Sequence, residues 1–225
     1  MQTSLKSCRR NPATWALGSL LMLLSLNAES AEIRVTDEAG ALLENAVVEV
    51  YFESSPVTTV QTKHIVQRNA VFHPQVLAIS TDSHVAFPNE DTTRHHVFSF
   101  SPAKVFDLEL YLSETPPPIH FDQAGVVVLG CNIHDSMQAF IVVSDAPYAA
   151  LTDVRGTLTL PTLPEGRHKM RVWHSRMHDS QEVWWEGDIS NADNMTVSLE
   201  LNAIPPQPSS ISPLQQRFHD ATNKH

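Results

Sequence analysis

The chain has 225 residues, 42% of them apolar, with 15 basic and 25 acidic side chains and two cysteines. Its formal charge of −10 disfavours nucleic acid and anionic membranes as partners and favours a protein with a basic face. There is no His-Glu-x-x-His, no Gly-x-Ser-x-Gly and no phosphate-binding glycine loop, so no common catalytic signature marks an enzyme.

Residues 1–30 read as a secretory signal peptide. Lys6, Arg9 and Arg10 form a charged start, and Trp15 to Leu26 is an apolar stretch too short to span a bilayer. Cleavage is expected after Ser30, with Ala28 or Ala31 as alternatives, and the mature chain is then periplasmic with no membrane span. Processing removes Lys6, Arg9, Arg10 and Glu29 from the 15 basic and 25 acidic residues, leaving 12 against 24 and a formal charge of −12. It also removes Cys8. Cys131 is then a lone thiol in an oxidising compartment, where unpaired cysteines are avoided or used.

From Ala31 to Leu201, short alternating apolar runs are punctuated by Gly, Pro, Asn and Asp, with no long period of 3.6, which predicts an all-β fold. Val48, Val50 and Phe52 alternate with Glu49 and Tyr51. Phe106, Leu108 and Leu110 alternate with Asp107 and Glu109. Met195, Val197, Leu199 and Leu201 alternate with polar residues. Each predicts a strand with one buried face. Val126 to Leu129 is apolar on both faces, as a central strand would be. Residues 203–225, rich in Pro, Ser, Gln and Asn, read as a disordered tail.

The chemistry concentrates in two segments. Gly130-Cys-Asn-Ile-His-Asp-Ser-Met137 holds a Cys-x-x-His-x-x-Met run, and His95-His96 lies upstream. A thiolate, two imidazoles and a weak thioether are the ligand set of a mononuclear copper site. Val127, Leu129 and Cys131 share one strand face, which delivers the thiol to the core edge. Two residues then return His134, and Met137 opens the next strand, Gln138 to Val143. Adjacent strand residues face opposite ways, so one of His95 and His96 binds. Phe98 and Phe100 lie in register with His96 and, read as an apolar face, would favour it. His64, His73, His84, His120 and His168 are scattered and read as solvated. His174 and His178 read as no second site.

Two resemblances organise these segments. Ile33 to Val50, together with Leu151-Thr-Asp-Val-Arg-Gly156, Leu163-Pro-Glu-Gly166 and the strand Met170 to His174, resembles the prealbumin-like sandwich of the carboxypeptidase regulatory-like family. Phe72 to Ile79, Val85 to Asp91, His95 to Phe100 and Gly125 to Met137 resemble the cupredoxins, more narrowly the plastocyanin-like proteins labelled methylamine utilisation proteins. Together they imply a Greek-key cupredoxin sandwich over 56–147, inserted into a small prealbumin-like sandwich formed by 31–55 and 148–202. The resemblance favours His95 over His96 and implies one type 1-like copper ion held by His95, Cys131 and His134 with Met137 axial. It implies an electron carrier, not an enzyme, whose partner is a periplasmic cytochrome or dehydrogenase. The alternative is a copper-binding or delivery protein without a redox role. Met137, Met170, Met177 and Met195, the methionines left after cleavage, are not clustered as delivery proteins' methionines tend to be. A plain interaction module with a structural cupredoxin part is a further rival.

Overall fold

The computed structural model describes residues 31–53, 62–134, 136–191 and 193–203. The predicted leader, the tail beyond 203 and Asp135 lie outside them. In chain order the strands are β1 (Glu32–Asp37), β2 (Val47–Tyr51), β3 (Thr62–His64), β4 (Val66–Arg68), β5 (Val71–His73), β6 (Val76–Ser80), β7 (Ser83–Ala86), β8 (His95–Ser101) and β9 (Lys104–Tyr111). They continue with β10 (Ile119–Phe121), β11 (Gly125–Gly130), β12 (Gln138–Ser144), β13 (Tyr148–Leu151), β14 (Thr157–Thr159), β15 (His168–Trp173), β16 (Trp185–Ile189) and β17 (Met195–Leu199). The all-β expectation holds among the described residues. No helix there is long and apolar enough to cross a membrane.

Two cores account for most of the buried apolar surface. The first joins the ends of the chain: the sheets β14-β1-β17 and β13-β2-β15-β16 enclose Ile33, Val35, Val48, Val50, Met170, Val172 and Leu199. The Thr152-Asp153 corner ties these distant segments. The Thr152 hydroxyl donates to the Leu43 carbonyl at 2.7 Å and accepts the Ala46 N–H at 3.0 Å. Asp153 Oδ1 accepts the Arg155 and Thr157 N–H groups, both at 2.9 Å, as an Asx turn does. Gly156 closes that turn at φ 65, a left-handed conformation that glycine adopts without steric cost.

The second core lies between the sheets β6-β12-β11-β8-β9 and β10-β7-β3, and holds Phe72, Val85, Phe87, Phe121, Val127, Leu129, Cys131, Met137 and Ile141. A smaller cluster of Val47, Val76, Val126, Val142 and Trp173 joins the two cores. It explains why Val126 to Leu129 is apolar on both sides: Val127 and Leu129 face the second core, and Val126 faces the junction.

Two predicted alternations break. β2 buries both faces, because Glu49 is covered as well and bonds Arg171 at 2.6 Å. In β9, Phe106 and Leu108 pack inward, but Leu110 is exposed and Tyr111 packs against the core instead. The cause is a left-handed residue, Glu109 at φ 54, together with a register shift opposite His96 and Phe98. One irregular residue exchanges the two faces beyond it.

Candidate metal centre

Strand β11 places Cys131 just beyond Gly130, on the inner face shared with Val127 and Leu129. Its thiol is a free, buried cysteine, 5% exposed. A turn through Asn132 and Ile133 returns His134, whose carbonyl accepts the Met137 N–H at 2.9 Å. Met137 is buried in the same apolar cluster as Cys131 and leads directly into β12. The third contribution crosses from β8: His95 is fully buried and its Nδ1 lies 4.0 Å from Cys131 Sγ.

His95, Cys131 and His134 each offer a ligand atom, and these atoms lie within 4.8 Å of one another. The imidazoles of His95 and His134 have centroids 5.0 Å apart. His95 Nε2 lies 2.7 Å from Asp91 Oδ2 and is therefore the protonated nitrogen, which leaves Nδ1 as a lone pair facing the thiol. Asp91 is itself anchored by the Asn69 and Ala70 N–H groups at 2.6 and 2.9 Å. The Ala70 N–H above all, with His95 and Asn69, holds the Asp91 carboxyl below the usual carboxylate range. Beneath the site, burial pushes the Tyr111 hydroxyl up to about 12, aided by charge at Cys131, and it donates to the Phe87 carbonyl.

His96 points the other way. Its Nε2 meets Asp107 Oδ1 at 2.6 Å, and its ring packs at a tilt against Phe98, which packs at a tilt against Phe100. That aromatic row is the outer face of β8, with Phe100 76% exposed, whereas Val97 and Ser99 are buried with His95. The tip of the Phe98 ring lies against Gly130, where an added Cβ would meet it at 2.8 Å. The structure thus brings together His95, Cys131 and His134, sets Met137 in their apolar surround and turns His96 out. From the sequence Asp91 only closed a segment quoted for the resemblance, with no role, and Tyr111 was not singled out. The spacing Asp91 to His95 carried no strand or helix signal, because the link passes through a turn.

The donors fit a soft or borderline metal ion. His134 Nδ1 is buried without a hydrogen-bond partner, which suits a ligand nitrogen; His96 Nδ1 is unpartnered too, but on the other face of β8. The thiol is shielded from solvent, and His95 is preset in the tautomer a ligand needs.

No protein-family model matches the sequence, and no curated protein does. Solved structures with partial likeness include a copper-containing nitrite reductase from Thermus scotoductus SA-01, at 23% identity and TM-score 0.35, covering 43% of this chain. The match spans 25% of the reductase. An oxidised mutant of amicyanin aligns at 14% identity and TM-score 0.34, covering 44% of this chain and 99% of that one. A purple cupredoxin from Nitrosopumilus maritimus aligns at 21% identity and TM-score 0.32, covering 36% of this chain and 99% of that one. Each likeness covers less than half of this chain.

Proposed function

We propose that the protein is a periplasmic mononuclear copper carrier that moves single electrons between protein partners. The observation that carries this reading is the buried Cys131 thiol with two imidazoles whose ligand atoms lie within 4.8 Å of it and of each other. Cys131, His95 and His134 would hold the ion, and Met137, buried in the same apolar cluster, would offer a weak thioether donor. When bound, copper supplies a reversible one-electron couple. The chain's own contribution is rigidity and exclusion of water. Asp91 fixes the His95 ring, the Asn69-Ala70 turn fixes Asp91, and the apolar cluster around Cys131 and Met137 keeps solvent from the sulfur. A site that does not rearrange suits electron transfer, because little reorganisation accompanies each electron.

Deep burial of two of the three donors favours a retained ion over one handed to a recipient, which is why the carrier reading is preferred to delivery. The acidic composition of the chain supports a partner with a basic face, and a periplasmic cytochrome or dehydrogenase is the partner proposed.

Copper loading of the mature protein tests this. One copper per chain and an intense visible band in the oxidised protein are expected, since a cupric thiolate has a low-energy sulfur-to-copper transition. Cys131→Ser should abolish the band. A colourless oxidised, copper-loaded protein, or a full band in Cys131→Ser, would refute the thiolate centre.

A further inference from the structure

The outer face of β8 and β9 carries apolar side chains that the fold leaves uncovered. Phe100 and Val105 are direct partners across the antiparallel pair, 76% and 65% exposed. Phe98 stands two residues along the same face, opposite Asp107. The connection between β15 and β16 reaches this face from the first core. Its Gln181 and Phe100 both line a cleft of about 610 Å³ whose wall includes Val128, Gly130, Cys131 and Met137. The connection is held in shape: the Trp173 indole N–H donates to the Ser180 carbonyl, and the Glu182 and Val183 N–H groups donate to the Asp179 carbonyl at 2.9 and 3.0 Å. Asp179 and Glu182 border the continuation of the cleft beyond Phe100.

We propose that this cleft is the docking surface for the redox partner, a protein that seats an apolar side chain against Phe98 and Phe100 and sets lysines or arginines against Asp107, Asp179 and Glu182. The inference rests on the copper-carrier reading and adds to it the place of contact and the chemistry of the partner. Clustered, exposed apolar side chains with a polar border mark a protein interface. The charge of that border decides the sign of the partner. Asp107, Asp179 and Glu182 are carboxylates, and Lys104, the cation of β9, is matched by Asp122 at 3.0 Å. A complementary surface therefore brings cations.

Position relative to the sulfur makes this face useful for the proposed transfer, which weakens steeply with distance. The tip of the Phe98 ring lies against Gly130, where no Cβ intervenes, and Gly130 is bonded to Cys131. A partner seated in the cleft has a short path through Phe98 and the Gly130 backbone to the thiol. Because the β15–β16 connection is already tied to Trp173 and to its own turn, docking orders little chain, which lowers its entropic cost.

Electron exchange between the copper-loaded mature protein and a basic c-type cytochrome, followed by stopped flow at the visible band, tests the proposal. Phe100→Ser should lower the second-order rate constant at least about tenfold, as loss of an interface anchor does. Asp179→Asn combined with Glu182→Lys should lower it about tenfold at low salt and flatten its dependence on ionic strength. Asparagine is chosen at 179 because φ is 51 there, a conformation it tolerates. Phe100, Asp179 and Glu182 are all exposed, so the band and the rate with a small neutral oxidant should stay as in the parent. Ile133, 45% exposed in the turn before His134, serves as the comparison, and Ile133→Ser should slow the cytochrome less than Phe100→Ser. The proposal is overturned if Phe100→Ser and the charge variant react as fast as the parent, or if Ile133→Ser is the slowest of the variants. A parent protein without the band overturns the copper reading and takes the docking proposal with it, a result distinct from unchanged rates.

Discussion

His95 and His96 are chemically identical neighbours, and what separates them is the partner of each Nε2. Asp91 holds His95 with Nδ1 towards Cys131, while Asp107 holds the buried His96 on the opposite face of β8. His95→Ala should therefore abolish stoichiometric copper binding and the visible band, whereas His96→Ala should leave both within measurement error. Asp91→Asn should keep the fold and the band but lower copper affinity by about tenfold, because the amide holds the imidazole without the carboxylate's charge. Competition with a chelator of known affinity measures this. The Cys-x-x-His-x-x-Met run was legible because its donors come from one short connection. Which histidine faces Cys131 was not legible from the alternation: Phe98 and Phe100 form an apolar row in register with His96, yet that row lies on the outside, over Gly130. His84 and His120 were read as scattered because strand pairing, not sequence spacing, joins them.

At the scale of elements, the period-2 pattern located strands well and failed where one residue left the extended conformation. Glu109 in the left-handed region exchanged the exposures of Leu110 and Tyr111, and nothing in an alternating string announces such a residue. Glu49 was hidden in the same manner, because Arg171, on a strand more than a hundred residues away, supplies the charge that permits its burial. The Thr-Asp-x-x-Gly corner, in contrast, was visible through Asp153, which bonds its own turn, whereas the Thr152 bonds to Leu43 and Ala46 are long-range. Its sharpest test is Gly156→Ala. A Cβ at φ 65 would lie 2.7 Å from the Val35 carbonyl and 2.8 Å from the Leu43 nitrogen. The backbone strain alone costs about 1–3 kcal/mol, and the clash separates β1 from the turn that docks it. Denaturant unfolding should show that loss, and a midpoint equal to the parent's would mean that the corner shifts freely.

For the whole molecule, the proposed organisation is a sandwich built from residues 31–55 and 148–202, interrupted by 56–147. In its support, β2 pairs with both β13 and β15, although the second core intervenes in sequence between β2 and β13. Tyr148 sits opposite Val50, and the Tyr51 hydroxyl donates to Asp145 at 2.9 Å, so the chain leaves and re-enters at adjacent points, as an insertion requires. Exchanging residues 53–145 for Asn-Gly should convert β2 and β13 into a two-residue hairpin of the favoured kind. The shortened protein keeps the first core, including Ile33, Val48, Val50, Met170 and Val172. It loses the junction, leaving Val47 and Trp173 without their cover from Val76, Val126, Val142 and Phe140. Each newly exposed large side chain costs about 1.5–3 kcal/mol, so the expected result is a cooperative thermal transition at a temperature below that of the parent. Unfolding without cooperativity in the shortened chain, with a single sharp transition in the parent, would mean that the outer segments need the inner module to fold and that the two cores form one unit.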